Sequence, residues 1–272
     1  MQTGEENKRA RTSYVTDWLS HNRRFTARTQ GHYKMVIWRF VKFMPGDIEK
    51  LSSNHIESYI ADLLDRSSNR TGNAHLTVIK SFCRWLERTY DVPNPAAKIP
   101  MLKEDPPKQR WLTHEEYLRI LAVCKDGESD TIKLIANSGL RASEVVNLSR
   151  DDIHEDKLVI IGKGRKRRVI PLNKTLKEIL SRSTHINFAK NRVQLYRLCQ
   201  RLSRRANIPC FGPHALRHYF ATELLRGGET KRGVSMVNVS ALLGHSSVKT
   251  TERYLHFQDS FLTGVTDVLD YP

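Results

Sequence analysis

Long apolar runs are absent from this 272-residue chain: no stretch of 18 apolar residues occurs, which excludes a membrane-spanning helix. Cysteine is scarce, and Cys83, Cys124, Cys199 and Cys210 form no C-x-x-C pair. That spacing argues against both a disulfide framework and a zinc ribbon. No G-x-x-x-x-G-K-[ST] loop is present to cradle a nucleoside triphosphate. The first residues, MQTGEENKRARTSY, are polar and lack the apolar segment of a secretory signal, so the expected compartment is the cytoplasm. Negative charge is also in deficit, with 29 Asp and Glu against 45 Lys and Arg, a net charge of +16. Such an excess favours a polyanionic partner, although charge alone does not separate DNA from RNA or an anionic membrane surface.

The positive charge is spread over the whole chain. Residues 1–108 carry 18 Lys and Arg against 12 Asp and Glu, and the remainder carries 27 against 17. Five of the ten prolines (Pro93, Pro95, Pro100, Pro106 and Pro107) fall in one short stretch. Proline fixes its own φ and restrains the residue before it, so 93–110 is expected to be an extended linker between domains 1–92 and 111–272. Before that stretch, apolar residues recur three or four apart in TSYVTDWLSHN, Thr26 to Met44, Ser52 to Asp65 and Thr71 to Tyr90. Tyr33, Val36, Ile37, Phe40 and Val41 form one stripe, and Leu76, Ile79, Phe82, Cys83 and Leu86 another. A helical module with basic faces is the expectation.

The second half is expected to be mostly helical with a small β-hairpin, making the chain mainly α. Thr113 to Glu116 has the form of a capping box opening a helix to Cys124. Helices are expected near 130–138, 142–148, 189–206, 213–226, 234–243 and 250–257. Between them, KLVII (157–161) and RRVIPL (167–172) are short and β-branched and flank the glycine-bearing GKGRK turn, the pattern of two paired strands.

Four places hold residues whose chemistry makes sense together. In NSGLRASEVVNL, Arg141 follows a Gly-Leu turn at a helix start, where its planar fork can meet a phosphate; pairing with Glu144 at i, i+3 is the plainer reading. In GKGRKRR, Lys163 lies between two glycines, and Arg165, Lys166, Arg167 and Arg168 extend a basic turn suited to gripping phosphate. Spacing leaves open whether Lys163 donates a proton or only clamps. In GPHALRHYFATELL, His214 and Arg217 share one side near the positive end of a helix. His214 and His218 have the spacing of helical zinc ligands, but the glutamate of H-E-x-x-H is missing and Arg217 would repel a cation, so no metal is expected. In ALLGHSSVKTTERYLH, His245 follows a glycine turn and Tyr254 lies nine residues on. With a reference pKa of about 10, only about one tyrosine in a thousand is ionised at neutral pH, so a nucleophilic tyrosine needs cations and a base nearby.

The order Arg141, Lys163, His214-x-x-Arg217, His245, Tyr254 resembles the tyrosine recombinases, the phage-type integrases and Xer-like enzymes, and the resemblance covers essentially the whole chain. It implies an N-terminal SAM-like core-binding domain and a C-terminal catalytic domain closing around duplex DNA at a specific recombination site. It also implies a homotetramer on DNA, a monomer or weak dimer when free, and no cofactor. Under the resemblance Tyr254 attacks the scissile phosphodiester, leaving a 3′-phosphotyrosyl link and a free 5′-hydroxyl, with strands exchanged pairwise through a Holliday junction. Arg141 and Arg217 hold the non-bridging oxygens, Lys163 is the general acid, His214 is the base or hydrogen-bond partner of the nucleophile, and His245 adds a hydrogen bond. Glu144 resembles a residue that braces the site. Arg165, Lys166, Arg167, Arg197, Arg201, Arg204 and Arg205 are the candidate DNA-backbone contacts.

Two stretches depart from the family pattern: LRGGETKRGVSMV is longer than expected, and the tail after Tyr254 is short. Phe257, Phe261, Leu262 and Val265 of that tail are candidates either for docking on a neighbouring subunit or for covering their own core. Two other functions fit parts of the same pattern: DNA relaxation of the type IB topoisomerase kind, and DNA binding without catalysis. Loss of a catalytic arginine or of the tyrosine would mark the second, and all six residues are present.

Overall fold

The computed structural model describes residues 2–22, 25–104, 110–125, 127–162, 166–182, 189–227 and 234–244. Lys163, Arg165, His245 and Tyr254 lie outside the described residues, as do the helix expected at 250–257, residues 228–233 and the C-terminal tail with Phe257, Phe261, Leu262 and Val265. The chain forms two compact units, Met1–Pro107 and Lys108–Pro272.

The first unit is built from α1 (Gln2–His21), α2 (Ala27–Phe43), α3 (Ser53–Leu64) and α4 (Asn69–Tyr90). Each helix after the first begins where a hydroxyl residue precedes it. The Thr26 and Ser68 hydroxyls accept the N–H groups of Thr29 and Thr71, satisfying donors that the helix itself leaves unpaired. The two expected stripes face inward: Val36, Ile37, Phe40 and Val41 pack with Leu76, Ile79, Phe82, Cys83 and Leu86 around Trp18. The proline-rich stretch runs along α4. Ala96 and Ile99 enter this core, and the buried Asn73 side chain both donates to Leu102 O (2.9 Å) and accepts from Leu102 N–H (2.8 Å).

The second unit contains α5 (His114–Ala122), α6 (Glu128–Ser138), α7 (Ala142–Val146), strands β1 (Lys157–Ile161) and β2 (Arg167–Pro171), then α8 (Lys174–Arg182), α9 (Arg192–Arg205), α10 (Pro213–Arg226) and α11 (Met236–Leu243). The Thr113–Glu116 capping box closes as its spacing predicts, with hydrogen bonds of 3.1 and 3.0 Å. The strands pair antiparallel, with Leu158 opposite Ile170 and Ile160 opposite Arg168. Helix α8 has no counterpart among the elements expected from sequence. Its Leu176, Ile179 and Leu180 turn to the core, and Asn173 Oδ1 caps it by accepting the Leu176 N–H at 2.9 Å. Helix α10 is covered nearly all round, burying Ala215, Leu216, Arg217, Tyr219, Phe220 and Ala221, and so forms the centre of the unit. No described helix is long and apolar enough to cross a membrane.

Helix α6 packs on α10, and its end decides where the next turn points. Gly139 stops the helix with φ +61°, and a Cβ there would meet Phe220 Cδ1 at 2.5 Å and Leu243 Cδ2 at 3.1 Å. Both the backbone and the space therefore require glycine. Gly127, at the other end of α6, has φ +76°, and a Cβ there would meet nothing within 4 Å among the described residues. Gly127→Ala is predicted to cost only the left-handed backbone strain, about 1–2 kcal/mol. Gly139→Ala adds about 1–3 kcal/mol of overpacking. Urea unfolding of the two variants checks this, and equal losses would refute the packing constraint at Gly139.

Candidate active site

The site begins at the turn that Gly139 creates. Ser138 Oγ donates to Leu134 O and accepts the Leu140 N–H, Leu140 is buried, and Arg141 emerges as the N-cap residue of α7. Glu144, three residues on, reaches back to accept the Arg141 N–H at Oε2 (2.7 Å) and Arg141 Nη1 at Oε1 (2.9 Å). The i, i+3 pairing and the orientation of Arg141 at this turn are thus two aspects of one arrangement. Arg141 Nη2 donates onward to Gly244 O at 3.0 Å.

Arg217 approaches the same turn from α10. Its guanidinium is buried and donates to Gly139 O at 2.5 Å and Leu243 O at 2.6 Å. The two arginines therefore converge on consecutive carbonyls at the C-terminus of α11, where unpaired carbonyls and the helix dipole favour cations. His245 is the next residue in sequence after the glycine that ends this helix, and Gly244 takes φ +63° there. His214 lies in the first turn of α10 after Pro213, one turn before Arg217, and is exposed. Its ring stacks with that of His218 at 6.3 Å, and His218 in turn lies 4.8 Å from Trp111. Among the described residues no group of three or more His, Cys, Asp or Glu could hold a metal.

The basic hairpin divides unexpectedly. Lys166 and Arg167 are exposed, but Arg168, grouped by sequence with the phosphate-gripping turn, points inward. Alternation along β2 is the cause, because Arg168 shares its face with the buried Ile170. Arg168 makes a two-pronged contact with Glu144, Nη1 to Oε1 at 2.8 Å and Nη2 to Oε2 at 2.6 Å, with both side chains more than nine-tenths buried. The basic face of α9 also divides. Arg197, Arg201, Arg204 and Arg205 are all exposed, but Arg201 (3.3 Å) and Arg205 both pair with Glu128.

Glu144 thus receives four hydrogen bonds from two arginines. Burial on its own would raise its pKa, but Arg168 and then Arg141 outweigh that effect and hold it down to about 2. A depressed carboxylate stabilises the fold above its unfolded value, near 4.5, and loses that contribution as pH falls towards 2. Glu144→Gln leaves Arg168 buried without its counter-charge, for a predicted loss of about 3–5 kcal/mol near neutrality. The gap from wild type should narrow between pH 4.5 and 2 in urea titrations, and a gap constant across that window would contradict the assignment.

Residues 110–260 match the phage integrase family, and residues 14–89 match the phage integrase N-terminal SAM-like domain. A tyrosine recombinase XerC of Caldanaerobacter subterraneus subsp. tengcongensis is 32% identical, over 79% of this chain and 67% of its own. A tyrosine recombinase of Pseudothermotoga lettingae is 30% identical, over 90% of this chain and 92% of its own. The fold is shared with a lambda integrase fragment solved as a dimer bound to a COC′ core site, at a TM-score of 0.77 and 17% identity, covering 89% of this chain and 94% of that one. With the family match spanning most of the second unit and a second match in the first, the chain belongs to the phage integrase family, the tyrosine recombinases, enzymes that cleave and rejoin DNA at specific sites.

Proposed function

We propose that this recombinase acts on a specific double-stranded DNA site through Tyr254. The Tyr254 oxygen bonds to the scissile phosphorus as the bond to the 5′-oxygen breaks. The tyrosine proton passes to His214, and Lys163 protonates the departing 5′-oxygen. The products are a 3′-phosphotyrosyl link and a free 5′-hydroxyl. Attack by a 5′-hydroxyl of the partner duplex reverses these steps and releases the tyrosine, so no external energy source or cofactor is consumed. Arg141 and Arg217 bind the non-bridging oxygens and offset the charge that grows on phosphorus, with His245 adding a further hydrogen bond. Preorganised donors of this kind are typically worth about 10²–10³ in rate each.

One observation carries the reading: Arg141 and Arg217, 76 positions apart in sequence, are fastened to adjacent carbonyls, Gly244 and Leu243, immediately before His245. Two planar cations brought to one turn supply what phosphoryl transfer asks of a protein, namely positioning and charge stabilisation. Strand exchange would proceed one pair at a time through a Holliday junction in a homotetramer assembled on DNA from monomers or weak dimers. A lambda integrase tetramer bound to a Holliday junction, similar in fold, supports that assembly. Along the duplex, the exposed Lys166, Arg167, Arg197 and Arg204 would meet backbone phosphate, while Arg201 and Arg205 also pair with Glu128.

The test uses a nicked suicide substrate, which traps the covalent complex by losing the 5′-hydroxyl needed for religation. Wild type is predicted to form an adduct linked to Tyr254 through a 3′-phosphate, and Tyr254→Phe to bind the same DNA with similar affinity and form none. An adduct surviving in Tyr254→Phe, or one carrying a 5′-phosphate, would overturn the assignment.

A further inference from the structure

The hairpin arginine that turns inward has no place among the groups that would touch DNA, yet it touches the residue on which Arg141 depends. A carboxylate offers roughly four lone-pair positions. In Glu144 all four are taken: Oε1 accepts from Arg141 Nη1 and Arg168 Nη1, and Oε2 from Arg168 Nη2 and the Arg141 N–H. Arg168 holds the two-pronged contact, and the Arg141 guanidinium is left with a single bond to the carboxylate. Two guanidinium groups and one carboxylate carry a net charge of +1. Arg168 is 6% exposed and Arg141 is 29% exposed, so the part of that charge accessible to a ligand lies on Arg141.

We propose that Arg168 is a positioning residue for DNA cleavage: by occupying Glu144, it keeps Arg141 from being neutralised and directs that guanidinium to the scissile phosphate. Without Arg168, the freed carboxylate closes on Arg141 with the paired geometry that guanidinium and carboxylate prefer, and the phosphate competes with an internal anion. The same side chain also lies beside the glycines that precede two other candidate site residues in sequence. A Cβ on Gly244, just before His245, would lie 2.9 Å from Arg168 Cδ. A Cβ on Gly162, just before Lys163, would lie 3.6 Å from Arg168 Nη1 and 3.7 Å from Arg141 Nη1. The close approach is at Gly244, and the contact at Gly162 is an ordinary one. This role rests on the proposed use of Arg141 as a phosphate ligand.

The experiment measures single-turnover adduct formation on the suicide substrate at saturating DNA, with DNA affinity measured separately, for Arg168→Met, Glu144→Gln and the double variant. Arg168→Met is expected to cleave at least about tenfold more slowly with affinity changed less than about threefold, because one of many phosphate contacts is affected. Adding Glu144→Gln should restore at least about fivefold of that loss, since no carboxylate remains to neutralise Arg141. A merely structural Arg168 would give a double variant as slow as Arg168→Met or slower, and that result, or a wild-type rate in Arg168→Met, would overturn the proposal. Should Arg168→Met fail to fold, Arg168→Lys carries the same comparison. It keeps the charge but loses the fork, so it should cleave more slowly than wild type and recover with Glu144→Gln; no loss, or no recovery, overturns the proposal. A wild type that forms no adduct fails the cleavage reading instead. Charge sharing is then read from the thermal shift that inorganic phosphate induces in the free protein, corrected against Arg141→Ala. That shift should fall in Arg168→Met and return in the double variant, and an unchanged shift refutes the sharing.

Discussion

A carboxylate buried among side chains is unstable unless cations and hydrogen bonds replace the water it has lost, and in this recombinase two arginines from different segments supply both for Glu144. Arg168 reaches it from the second hairpin strand, while Arg141 reaches it from the cap of the short helix that carries Glu144 itself. Because a guanidinium fork and a carboxylate match only in one plane, the contact fixes orientation as well as distance. Hairpin and helix cap are thereby locked together, and each leads directly to a residue of the proposed chemistry. Charge balance matters as much as geometry, since one carboxylate cannot cancel two guanidinium groups.

The second fastening is made of backbone. Arg217 ties Gly139 O to Leu243 O, and Arg141 takes Gly244 O, so the end of α6 and the end of α11 are held by the side chains that would also bind phosphate. Glycine is required at both ends, because each terminates a helix in the left-handed region and each lies against a bulky side chain, Phe220 or Arg168. In the proposed chemistry a phosphate at these arginines would meet guanidinium groups that the fold already holds by hydrogen bonds. The ordering cost would then be met in folding, which is the physical content of preorganisation.

Much of this was legible in the sequence, for local reasons. Periodicity places α2 and α4 and their core residues, the Thr113–Glu116 spacing encodes its own cap, and the β-branched runs around GKGRK define the hairpin. Arg141 and Glu144 were legible as a pair because three residues along a helix is a fixed distance. Arg168 was obscured by the four basic residues around it, although β2 alternation contained the signal: two positions before Ile170, and opposite Ile160, a residue must face the core. Helix α8 is short, and its nine residues carry only one apolar cluster. The pairing of Arg201 and Arg205 with Glu128 spans more than 70 positions, so no local pattern could reveal that part of the basic face of α9 is already engaged.

The sharing of Glu144 is tested most directly by a crystal structure of the protein on its cleavage site with the scissile phosphate in place. Glu144 should keep both prongs of Arg168 and the Arg141 N–H, while the guanidinium groups of Arg141 and Arg217 donate to non-bridging oxygens of the same phosphate. A complex in which Glu144 pairs fork to fork with Arg141, or in which Arg168 leaves Glu144 to bind the phosphate itself, would contradict this.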